Sequence, residues 1–261
     1  MSRYLQHRVN ESVIMETKDR FQFNPNNHAY TLDGKRLTGV TTIIGVLDKP
    51  ALIGWASNMA VDSVIKGASY KRKENIYEVT KDVLEDSRKA WCRKRDSAGD
   101  IGTEVHNMIE LYAKAKILGN KFEATHKDEQ VQKMYEKFVE WAEENSVKFL
   151  LSEQKLYSEK HWYAGTVDLV IEIKGKKYIA DIKTAKDIYN TNYIQMAGYD
   201  ICLEELGKLK DCEGYCVINI PKQLGKDGEV KLKEKRISNT GDFKEAFLHC
   251  LAIYRFINKI K

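Results

Sequence analysis

Along residues 163–183, apolar and polar side chains alternate with a period of two. Val167, Leu169, Ile171 and Ile173 fall on one set of positions and Thr166, Asp168, Val170 and Glu172 on the other, the signature of a strand lying against a core. A second apolar run, residues 178–183, follows Lys174-Gly175-Lys176-Lys177, so the stretch reads as a β-hairpin. A two-residue turn at Gly175-Lys176 would pair Asp168 with Lys183 and Val170 with Asp181. Asp168 and Asp181 are then diagonal neighbours, and Asp181 and Lys183, two apart, project from one face. Two carboxylates and one ammonium are expected on a single patch.

The same reading extends along the chain. Residues 28–39 show a strand pattern around Asp33-Gly34, a strong hairpin signal. Helical spacing of Leu52, Trp55, Ala56 and Met59 predicts a helix over 51–64, opened by Pro50. Residues 67–74 are a polar break, and helical character returns over 79–95. Val105, Met108, Ile109 and Tyr112 form an apolar stripe on a helix over 100–115, and Val131, Met134, Tyr135, Phe138 and Trp141 another over 128–145. A strand over 150–157 precedes the hairpin. A polar loop over 184–192, a helix over 193–206, strands over 214–220 and 230–237, and an amphipathic helix over 243–260 complete the chain. Helices first and strands afterwards predict an α/β (α+β) fold, a central mixed sheet flanked by helices. No repeat, low-complexity tract or linker interrupts it. The expected organisation is a lead-in over 1–27 and one domain over 28–261, with a helical elaboration (28–149) and a core (150–261).

Composition narrows the classes. With 261 residues, 31% charged and 43% hydrophobic, the chain is long enough for a full core and has no run that would span a bilayer. A net charge of +5 permits a polyanionic partner without requiring one. Residues 1–27 carry Glu11, Glu16 and Asp19 among their bases, unlike an acid-poor transit peptide. The cysteines Cys92, Cys202, Cys212, Cys216 and Cys250 are odd in number and unpaired in spacing, as expected of reduced thiols in a cytoplasm. An iron-sulphur cluster is not expected, because no C-x2-C is present and Cys216 falls in a buried strand pattern.

The hairpin patch carries the chemistry. Two carboxylates a few ångströms apart repel, and one takes up a proton unless a cation sits between them. Hard oxygen ligands favour Mg2+ or Mn2+, commonly held by one or two carboxylates at phosphate-cleaving sites. Lys183 beside such an ion, with a lowered pKa, would stabilise phosphate charge or deprotonate a water. A cross-strand salt bridge on a solvated hairpin is the alternative. Arg88, Lys89, Arg93, Lys94 and Arg95 form a basic run that reads as a solvated face or a DNA-backbone contact. Thr41, Thr42 and Lys49, near the helix opened by Pro50, suit phosphate. A capped helix packing Trp55 into the core accounts for the same residues.

Gly165-Thr166-Val167-Asp168, Asp181-Ile182-Lys183-Thr184 and Gln195…Tyr199 together resemble the core of the PD-(D/E)XK nuclease superfamily. Within it, they resemble RecB-type exonuclease domains, with their G-x-x-D, D-x-K-T and Q-x-x-x-Y motifs. Val167 stands where the superfamily has proline, and Asp181 where glutamate is commoner. Gly102-Thr103-Glu104-Val105-His106 matches an upstream G-x-x-x-H. Residues 40–56 are similar to the N-terminal segment of phage and mitochondrial exonucleases of this type, and the likeness covers roughly 30–205.

The resemblance implies a restriction-endonuclease-like core and a metal-dependent DNA exonuclease of recombination, repair or DNA degradation. It implies Mg2+ or Mn2+ held by His106, Asp168, Asp181 and the main-chain carbonyl of Ile182, with His106, Asp168, Asp181 and Lys183 catalytic. Glu153 fits either an added acidic ligand or an ordinary strand-edge charge. DNA contacts fall to Thr103, Thr184, Gln195 and Tyr199 besides Thr41, Thr42 and Lys49, and cleavage would leave a 5′-phosphate. A bacterial, phage-encoded source and a single-strand-binding or annealing partner follow from the same likeness. The rival classes are an endonuclease of the same fold and a DNA-binding module without catalysis.

Overall fold

Residues 163–173 form β7 (Tyr163–Ile173), the strand on which the rest is assembled. The computed structural model describes residues 20–47, 50–222 and 229–259. In chain order it has β1 (Phe21–Asn24), β2 (Ala29–Leu32), β3 (Lys35–Gly39), α1 (Val40–Ile43) with a short 3-10 turn after it, and α2 (Pro50–Gly67). A small hairpin follows, β4 (Ser69–Lys71) and β5 (Ile76–Glu78), then α3 (Lys81–Ser87), α4 (Ala90–Ile117) and α5 (Glu129–Glu144). The core continues with β6 (Lys148–Ser158), β7, β8 (Lys176–Lys183), α6 (Asn190–Glu205), β9 (Cys212–Asn219), β10 (Lys233–Ile237) and α7 (Gly241–Asn258).

The fold is α+β, a mixed sheet flanked by helices. The sheet runs β1-β2-β3-β7-β8-β9-β10, and β6 pairs with the other edge of β7. β3 joins β7 and β8 joins β9 in parallel; the remaining pairs are antiparallel. One face is covered by α4 and α5, whose Val105, Ile109, Met134 and Phe138 pack on Leu169, Ile171, Ala180 and Ile218. The other is covered by α1, α6 and α7, with Tyr193, Met196 and Phe247 on Val170, Ile179 and Val217. Asp128 caps α5, accepting from the amides of Gln130 and Val131, so one residue starts the helix and fixes which stripe faces the sheet.

Several expectations are corrected. The turn of the central hairpin is Lys174-Gly175, not Gly175-Lys176: both residues have left-handed backbones, φ 51° and 78°, as a two-residue hairpin turn requires. Ile173 therefore pairs with Lys176 and Leu169 with Ala180, and continuing that register sets Asp168 opposite Asp181 instead of Lys183. The lead-in over 1–27 ends sooner, because Phe21 to Asn24 pair with β2 and bury Phe21 against Tyr30 and Tyr157. The polar break over 67–74 holds β4 and starts a hairpin whose residues are all exposed. No burial pattern marked it. The helices read as 79–95 and 100–115 are divided at residues 88–89 instead, leaving α4 as one 28-residue helix. Within the basic run, Arg93 pairs with Asp86, and Arg95 pairs with Asp96 and lies over Trp91.

Gly165 permits a close approach between the layers. A Cβ there would stand 2.6 Å from the ring of Tyr199 on α6 and 3.0 Å from Val40 on α1. Gly165→Ala is expected to lose about 1–3 kcal/mol by overpacking, read as a thermal midpoint lower by roughly 2–4 °C per kcal/mol. An unchanged midpoint would mean that α6 can slide away at no cost.

Candidate active site

The site forms where β7 changes neighbours. β6 occupies one edge of β7 over nearly its whole length. The opposite edge is shared: β3 pairs at Tyr163 and Ala164, and β8 takes over from Leu169. Residues 165–168 lie in the gap, and Gly165, Thr166 and Asp168 line a cleft of about 1130 Å³ there. Instead of a ladder bond, the Ile182 amide of β8 donates to Asp168 Oδ2 at 2.9 Å. Val167 packs with the second core layer while Leu169 packs with the first, so β7 breaks its alternation at the carboxylate.

Across β6, Ser152 pairs with Leu169 and Gln154 with Val167, which sets Glu153 opposite Asp168. Glu153 has a left-handed backbone, φ 47°, a conformation costing a non-glycine residue about 1–2 kcal/mol and concentrated at functional sites. α4 brings His106 from the helical layer, Nδ1 lying 3.7 Å from Asp168 Oδ2. His106, Glu153 and Asp168 each offer a ligand atom within 4.8 Å of the others. Opposite ligands of an octahedral ion at ~2.1 Å stand about 4.2 Å apart, so a small side-chain adjustment would let the group hold a divalent ion. One imidazole and two carboxylates make a mixed nitrogen and oxygen donor set of the kind that binds a divalent metal ion. Burial, and then the charges of Asp168 and Glu110, push the Glu153 carboxyl up to about 7.

Asp181 lies outside that group. It is 1% exposed, and its carboxylate turns to Lys183, whose Nζ donates to Oδ1 at 2.7 Å and stands 2.6 Å from Oδ2. Both carboxylate oxygens are thus turned to the ammonium. Burial raises the Asp181 pKa; Lys183 opposes that and Asp168 adds to it. For Lys183, burial acts against the charged form, but Asp181 and Asp168 outweigh it and hold the amine above its ordinary pKa. α6 completes the network: Gln195 Nε2 donates to the Tyr199 hydroxyl at 2.9 Å and to Asp181 Oδ1 at 3.4 Å, and Lys183 reaches Gln195 Oε1 at 3.5 Å. The i, i+4 spacing puts both side chains on one helical face. Burial, with the charges of Asp168 and Asp181, holds the Tyr199 hydroxyl neutral.

The other expected residues divide. Thr41 and Thr42 line the cleft with Gln195 and Tyr199, but on the four-residue α1 instead of the helix opened by Pro50. Lys49 lies outside the described residues. Thr103 and Thr184 are not among the cleft residues: the Thr103 hydroxyl donates back to the Gly99 carbonyl, and Thr184 packs at Gly102. Ile182 buries its side chain in the first core layer while its amide serves Asp168. Arg36, Lys155, Trp162 and Arg255 also line the cleft and carry no sequence signal, since they come from four separate segments.

Glu153 binds a proton more readily folded than unfolded, so its contribution is fully present below about 4.5 and is lost as pH rises through about 7. In chelator, stability measured by urea titration is expected to fall across that window, and Glu153→Gln to flatten the fall. Parallel curves for both proteins would remove Glu153 from the buried carboxylates.

No protein-family model matches the chain, and no curated protein matches it. Among solved structures, it is similar to a protein from Eubacterium rectale provisionally named an exonuclease, at 16% identity and a TM-score of 0.38, covering 61% of this chain and 68% of that one. It is also similar to a phage-related exonuclease from Haemophilus somnus 129PT, at 15% identity and a TM-score of 0.27, covering 78% of this chain and 95% of that one. Superpositions this loose carry no argument about the activity of this chain.

Proposed function

We propose that the chain is a divalent-metal-dependent deoxyribonuclease of the RecB-type PD-(D/E)XK kind, hydrolysing phosphodiester bonds from DNA ends. The observation that supports it most is the meeting of a three-ligand group, His106, Glu153 and Asp168, with the buried Asp181–Lys183 pair at one gap in the sheet. The likeness of the G-x-x-x-H, G-x-x-D and D-x-K-T motifs, read from sequence, supports the same assignment. Mg2+ or Mn2+ held by His106, Asp168 and Glu153, with Asp181 beside them, would acidify a water and offset charge on the phosphate.

The chain's own groups have distinct tasks. Lys183, paired with Asp181, would balance phosphate charge and orient or deprotonate the attacking water. Gln195 ties Asp181 and Lys183 to Tyr199, so the ammonium keeps one position as charge builds, the condition for electrostatic stabilisation. Asp168 is oriented by the Ile182 amide, which donates to its Oδ2.

Linear labelled DNA is expected to release nucleotides in Mg2+ or Mn2+ and not in EDTA. Lys183→Ala should lower the rate by roughly 10²–10⁴-fold, and His106→Ala or Asp168→Asn at least as much. Covalently closed circles should survive. Cutting of circles at the linear rate would make the enzyme an endonuclease, and full activity in Lys183→Ala would remove that residue from catalysis.

A further inference from the structure

The cleft does not stop at the ligand group. It continues over the β1–β3 meander and the turn between β6 and β7, where Phe23, His28, Tyr30, Arg36, Lys155 and Trp162 line it. Its volume, about 1130 Å³, exceeds the ~300–1,000 Å³ of small-molecule pockets, so it has room for more than the group that reacts. Glu153 and Asp168 are its acidic lining residues, both in the ligand group; the other charged ones, Arg36, Lys155, Lys183 and Arg255, are all cationic. A polyanion therefore meets positive charge wherever it leaves the reacting centre.

The aromatic side chains narrow the class. Phe23 and Tyr30 are cross-strand partners with ring centroids 4.9 Å apart, and Lys155 Nζ stands 5.0 Å from the Phe23 centroid. Trp162 has a left-handed backbone, φ 47°, rare for a bulky residue. A duplex turns its bases inward and has no use for such surfaces. A single strand does, because its unpaired bases stack on aromatic rings while a basic groove follows its phosphates.

Resting on the nuclease reading above, we propose that this half of the cleft is a subsite for the unpaired nucleotides of single-stranded DNA. Bases stack on Phe23 and Trp162, and Arg36, Lys155 and Arg255 take the phosphates.

The test is fluorescence anisotropy of a labelled thymidine oligonucleotide and of a duplex of equal length, in EDTA so that nothing is cut. The single strand should bind more tightly than the duplex. Phe23→Ala should weaken its binding roughly 5- to 150-fold, the loss of one base stack. The double variant Arg36→Ala, Lys155→Ala, exposed positions where folding is not at stake, should reduce the salt slope by about 1.4. Binding by both variants equal to wild type, or tighter binding of the duplex, would overturn the subsite. Hydrolysis of thymidine 5′-phosphate p-nitrophenyl ester in Mn2+ separates the two readings, since it engages the ligand group without the groove. Ester hydrolysis with variants that bind like wild type removes the subsite and leaves the nuclease. Variant-sensitive binding without ester hydrolysis removes the nuclease and leaves a single-strand groove.

Discussion

Two carboxylates buried side by side cannot both ionise without a cation, and the centre of this molecule is arranged around that constraint. Asp168 lies near enough to Asp181 for its charge to help raise the Asp181 pKa. Lys183 stands against Asp181 and opposes the rise that burial gives its pKa, and the Ile182 amide donates to Asp168. Replacing the ammonium by a neutral group would remove the counter-charge of the buried Asp181 and favour its protonated form. The strand register, the turn that sets it and the helix that presents Gln195 all serve this balance.

The sheet solves the access problem by exchanging neighbours. A strand paired on both edges offers its side chains to packed layers and nothing to a ligand. By leaving β3 at Ala164 and meeting β8 at Leu169, β7 gains a short stretch that is unpaired on that one edge while β6 still holds the other. His106 reaches that opening from one helical layer and Gln195 and Tyr199 from the other, so both faces of the sheet contribute to one site. Gly165 lets Tyr199 close in, which explains a glycine in the middle of an apolar strand more directly than any turn would.

Strain and charge are placed at the same spot. Glu153 keeps a left-handed backbone opposite Asp168, and burial beside a like charge raises its pKa. Either feature alone is unfavourable. Together they describe a side chain suited to a cation, beside a groove whose other charged lining residues are cationic.

The periodicities of residues 128–145 and 163–183 were sufficient to determine a helix on a hairpin, because Phe138 and Trp141 or Leu169 and Ile171 can be buried in one way. Asp168, Asp181 and Lys183 stood out as a charged patch because ionisable groups in apolar runs require a reason, whereas a nuclease site including His106, instead of a salt bridge, was suggested only by the resemblance of the motifs. The register was not legible, since Lys174-Gly175 and Gly175-Lys176 are both plausible turns and differ by one step. Nor was Glu153 separable from an ordinary strand-edge charge until β6 brought it opposite Asp168. The sequence by itself determined which residues must be buried and which charges must be compensated, since hydrophobic period and side-chain chemistry are local. Only the tertiary structure decided which carboxylates share a ligand group and which one faces the lysine, and gathered Arg36, Lys155, Trp162 and Arg255 onto one groove. Those depend on strand pairing and layer packing between segments far apart in the chain, which no local pattern encodes.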